Sequence, residues 1–174
     1  MRRHWTAFTV ALLGLAILAL AATTDAQPPG KKGFGKGKND PAMKADMDLF
    51  HYLLDHRTDI KRTVKDIDGG VETVTESDVP EVAAKIREHA ESMHKRVKAG
   101  RGIHLRDPLF AEVFRHTDQI EMAIEKTDRG VRVKETSKDE YVAKLIRAHA
   151  QAVNGFIKNG HAEMRKDHPV PEKK

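Results

Sequence analysis

The sequence has no cysteine, one tryptophan and only 5% aromatic residues among its 174 positions. Without cysteine there is no disulfide framework, no thiolate nucleophile, no Cys-ligated zinc or iron–sulfur cluster and no covalent CxxCH haem attachment. GxSxG and HExxH are also missing, and no nucleophile is grouped with a base and an orienting acid. An enzyme is therefore the least favoured class. Gly30 to Lys36 matches the outline of a phosphate loop, but Gly37 stands where a magnesium-binding hydroxyl belongs and no strand precedes it. The 39% hydrophobic content suits the core of one domain and is too low for a polytopic membrane protein. Histidine, by contrast, is abundant at ten residues, and it is the only soft nitrogen ligand the chain offers.

Residues 1–26 read as a cleaved secretory signal: Arg2 and Arg3, then an apolar run from Ala7 to Ala22, then small residues. Cleavage fits after Ala21 or Ala26. The run is shorter than the ~20 residues a spanning helix needs, so no stable transmembrane segment is expected after cleavage. The expected location is periplasmic or extracellular. Residues 27–42 form a Gly/Lys/Pro-rich basic arm, with Lys31, Lys32, Lys36 and Lys38 against Asp40. Such an arm suits an envelope protein or an anionic surface as partner. Export, the near-neutral body and the scarcity of aromatics argue against nucleic acid.

Compared with itself at an offset of sixty, the chain aligns without a gap over residues 50–107 and 110–167, and sixteen positions are identical. They include Phe50/Phe110, His56/His116, Ile60/Ile120, Gly70/Gly130, Arg87/Arg147 and His89/His149. Chance gives only a few matches, so the chain is a tandem repeat of 43–107 and 108–161, followed by a tail of 162–174 expected to be loose. In each copy apolar residues recur at spacings of three and four, as in Phe50, Leu53, Ile60, Val64 and Ile67, which reads as a helix ending at Gly70 or Gly130. The segments VETVTE and VRVKET after those glycines read as short extended links. Second helices open at the capping-box patterns Asp78-x-x-Glu81 and Ser137-x-x-Glu140. The expected fold is mainly all-α: an internally duplicated antiparallel four-helix bundle with approximate two-fold symmetry, its two links able to pair as a two-stranded ribbon.

The duplication also sorts the histidines. His56/His116 and His89/His149 are repeated; His51, His94, His104, His161 and His168 are not. At about 100° per residue, His89 falls inside the apolar stripe formed by Val82, Ile86, Met93 and Val97, and His149 does the same in its own helix. Repeated histidines on inward stripes suit a haem b or a copper or other transition-metal ion, with Met93 one turn beyond His89 as a thioether ligand. Arg57, Arg87 and Arg147 are candidates for the carboxylates of such a ligand. The competing view is that the four imidazoles are buried groups satisfied by local partners, repeated only because the segment was duplicated. Two functions follow. The first is an exported helical binding protein for haem or a metal, serving carriage, electron transfer or sensing; the second is a metal-free envelope-stress or interaction module using the bundle surface and basic arm.

Overall fold

In a computed structural model residues 40–173 are described, and the signal and most of the basic arm lie outside that range. The elements run α1 (Pro41–Asp55), β1 (Ile60–Ile67), β2 (Gly70–Ser77), α2 (Pro80–Ala99), α3 (Pro108–Arg115), β3 (Glu121–Thr127), β4 (Gly130–Thr136) and α4 (Glu140–Asn159). The four strands form one antiparallel sheet in the order β1-β2-β4-β3. The expectation of an all-α four-helix bundle is therefore corrected: each repeat is α-β-β-α, and the fold is mixed α/β.

The cause lies at His56 and His116. Each is the C-cap of a short first helix, and a single 3-10 turn then delivers the chain into a strand. Ile60, Val64 and Ile67 fit helical spacing in sequence, but β-branched residues at this density also fit a strand. Pairing with the neighbouring hairpin decides the matter.

The links expected to form a ribbon do pair with one another, as β2 and β4, yet they are the centre of a four-stranded sheet rather than an ornament. Thr73 faces Val133, and these two positions are exactly equivalent in the duplication. The approximate two-fold axis thus passes through that pair.

Other local expectations shift as well. Gly70 and Gly130 were expected to end helices with a left-handed backbone; they open strands instead, and the positive φ of 69° belongs to Gly69. The proposed capping boxes are replaced by a different device: Ser77 Oγ accepts from Val79 N and Ser137 Oγ from Asp139 N, each at 3.1 Å. Asp139 is the true N-cap of α4, accepting from Val142 N. Pro41 and Pro108 open α1 and α3 behind Asp40 and Asp107, whose side chains cap the first free N–H groups.

Helices cover one face of the sheet, and the core of Val71, Val82, Leu109, Val142, Leu145 and Ile146 lies beneath them. The outer face carries Lys61, Glu72, Glu125, Arg132 and Lys134, with ion pairs such as Arg132–Glu125 and Lys134–Glu72. That is the polar-out pattern of a one-sided antiparallel sheet.

The repeats are interlocked rather than stacked. Arg87 on α2 donates to the carbonyls of Thr127, Asp128 and Gly130 in the second repeat, while Arg147 on α4 donates to Ile67 in the first. A charged donor to a carbonyl contributes on the order of 1.5–3 kcal/mol, less where water competes. Arg87→Ala is expected to lose about 2 kcal/mol in urea unfolding and Arg147→Ala, with one such bond, about 1 kcal/mol. Equal or negligible losses would sink this assignment of the two arginines.

Candidate functional site

Between the sheet and the helix layer lies a cavity of about 220 Å³, partly open to solvent. Its walls are mainly apolar, with Phe50, Phe110 and Phe156 forming a connected aromatic cluster. Phe50 meets Phe156 edge-on at 5.4 Å, and Phe110 lies 5.8 Å from Phe156. Strand positions Arg62, Thr73, Thr75 and Glu135 form polar points on the floor.

His89 and His149 both border this cavity, one from each long helix, as does Met93. The His89 ring stacks on Phe50 at 6.1 Å, and the His149 ring meets the edge of Phe110 at 5.0 Å. Burial pushes the His89 pKa down to about 4; the charge of Asp46 acts against this and His149 reinforces it. Burial lowers His149 as well, with Glu135 opposing and Arg62 reinforcing. Both imidazoles are therefore neutral at pH 7. The Nδ1 atom of His89 is buried without a hydrogen-bond partner among the described residues. A buried polar atom left in this state costs roughly 1–3 kcal/mol, which makes it a point to explain.

His56 and His116 are elsewhere. His56 stacks on Tyr52 at 4.3 Å with Asp59 3.6 Å from its Nδ1, and its side chain is 42% exposed. His116 sits between Glu112 at 3.3 Å and Gln119 at 3.1 Å. Of the four repeated histidines only His89 and His149 line the cavity. Among the described residues no three His, Asp or Glu side chains are grouped to hold a metal ion. This corrects the expectation of a metal centre inside a four-helix bundle: the bundle does not form, and His89 and His149 stand among Phe, Val and Ile side chains. Arg57 borders the cavity, whereas Arg87 and Arg147 serve the hairpin carbonyls described above.

Arg62, His104 and Glu135, which sequence patterning does not mark as site residues, also line the cavity. His104 is unrepeated and has a left-handed backbone, with φ of 57°, an uncommon conformation for a non-glycine residue. Its Nε2 is buried without a partner among the described residues, and its ring meets Phe110 and Phe156 edge-on at 5.0 and 5.9 Å. Alternation within β1 and β4 is the signal that places Arg62 and Glu135 on the inner face, but it emerges only once those segments are read as strands.

Behind the aromatic cluster the C-terminal tail is held, where it was expected to be loose. His168 Nδ1 contacts Asp107 Oδ2 at 2.5 Å and its Nε2 contacts Glu163 Oε1 at 3.1 Å. Burial alone would lower the His168 pKa, but these two carboxylates outweigh it and raise it. Comparison with known protein families, with curated proteins and with solved structures finds no match to this chain.

Proposed function

We propose that this chain is an exported binding protein that holds one small, mainly apolar molecule in the cavity between its sheet and its helices. The basic start and apolar run of residues 1–26 support export. The observation that carries the reading is the cavity itself: about 220 Å³, walled by Phe, Val, Ile and Leu, with a few polar residues among them. Concave, mostly apolar sites with sparse polar groups are the usual form of a small-molecule site.

Volume sets the size of the occupant. An apolar cavity of about 150 Å³ admits benzene, and pockets that bury a drug-sized ligand span roughly 300–1,000 Å³. The occupant is accordingly one substituted ring or a short chain. Neutral imidazoles at His89 and His149 suit hydrogen bonding to such a molecule.

Toluene is a suitable neutral probe. Added in excess of its dissociation constant it is expected to raise Tm by about 3 °C. Ligand-observed NMR should show contact with the protein, and Val153→Trp, which fills the cavity from α4, should abolish both signals. No response of the wild-type protein to toluene would overturn the reading.

A further inference from the structure

The cavity carries more positive charge than its own acids neutralise. Two arginines border it, Arg57 and Arg62, against one carboxylate, Glu135. Arg62 is half-buried on the cavity floor and donates from Nε to Asn154 Oδ1 at 3.2 Å and from Nη1 to Thr75 Oγ1 at 2.7 Å, both neutral acceptors. Among the described residues Arg57 donates only to the Leu54 carbonyl, at 3.4 Å. Among the described residues no carboxylate stands within 4.0 Å of either guanidinium. A guanidinium has five N–H donors, so most of those on both side chains are uncommitted.

Taking such a cation out of water without a counter-charge is costly unless something else supplies one. Glu135 lies in electrostatic range of Arg62 but forms no ion pair with it, so the cavity keeps a surplus of one positive charge. The two imidazoles beside it, His89 and His149, are neutral and do not add to that surplus. Resting on the cavity reading above, we infer that the natural occupant is a small organic anion: a carboxylate whose head group bonds to Arg62 and Arg57 and whose apolar body lies against Phe50, Phe110 and Phe156. Guanidinium and carboxylate match in planar, two-point geometry, which makes the pair selective as well as strong. The orphaned Nδ1 of His89 and Nε2 of His104 are further polar points within the same walls.

The duplication supplies the variants. The position equivalent to Arg62 in the second repeat is Met122, and that equivalent to Arg57 is Thr117, so the fold already accommodates these residues at the matching places. Binding of hexanoate and of hexanol to the full chain should be measured by calorimetry at pH 7. Hexanoate is expected to bind at least tenfold more tightly than hexanol. Arg62→Met should remove that preference while leaving hexanol binding within about twofold, and Arg57→Thr should reduce it. Equal affinity of the wild-type protein for both, or a preference unchanged in Arg62→Met and Arg57→Thr, overturns the anion inference and leaves the cavity reading intact. Binding of neither compound, together with no response to toluene, overturns both. Inorganic phosphate forms the third arm: if it competes with hexanoate at equal concentration, the apolar body plays no part and the inference falls.

Discussion

Lowering the pH from 7 to 4 is expected to cost the fold about 3 kcal/mol through His89 alone. In the unfolded chain this imidazole takes up a proton near its ordinary value of 6.5; in the folded protein burial delays protonation to about 4. Between those values the unfolded state binds more protons, so stability falls as pH falls. At about 1.4 kcal/mol per pKa unit the window corresponds to about 3 kcal/mol. Stability should be complete above pH 6.5 and decline steadily towards pH 4. His149 is shifted in the same direction by the same cause and adds to the decline. His168 behaves oppositely: its raised pKa gives stability present below 6.5 and lost as pH rises through its folded value. Urea unfolding at half-unit steps distinguishes them. His89→Leu should flatten the acid limb by about 3 kcal/mol, and a His89→Leu curve parallel to wild type from pH 6.5 to 4 would show that the ring is not held neutral by burial.

Gly130→Ala is expected to destabilise the protein by about 3 kcal/mol, although alanine is otherwise better suited to folding than glycine. A Cβ at Gly130 would stand 2.0 Å from the Thr75 carbonyl oxygen, and one at Gly70 1.9 Å from that of Glu135. Both clashes are with backbone of the central β2–β4 pair, which has no side-chain torsion with which to yield. The pair would have to separate at its ends, where Gly70 faces Thr136 and Gly130 faces Glu76. Gly102→Ala meets only the flexible end of Leu105 and is expected to cost less than about 1 kcal/mol. Urea midpoints for Gly130→Ala, Gly70→Ala and Gly102→Ala test this; a Gly130→Ala midpoint equal to wild type would mean that the strands do not pack this closely.

These two predictions mark where the sequence is legible and where it is not. The duplication identifies Gly70/Gly130 and His89/His149 as equivalent pairs, and the apolar stripes of α2 and α4 put both histidines on inward faces. The role of the glycines is misread, because a helix C-terminus and a close strand approach both call for a residue without Cβ. The strands are misread for a different reason. Inner-face positions Arg62, Thr73, Thr75 and Glu135 are polar, so the period of two is obscured in hydrophobicity, while Ile60, Val64 and Ile67 imitate a helical stripe. The residues that make the cavity chemically specific are the ones that hide the sheet beneath it.

Sequence alone therefore determines the tandem repeat, the long helices α2 and α4 with their inward imidazoles, and the Asp-Pro start of the third helix. The sheet, the cavity and the separation of His56/His116 from His89/His149 are decided by tertiary structure. Repeats and helical stripes are written in identity and spacing along the chain. The pairing of β2 with β4, and the meeting of Arg62, Glu135 and the two long helices around one space, depend on hydrogen bonds and contacts between segments some sixty residues apart, and these leave no period in the local pattern.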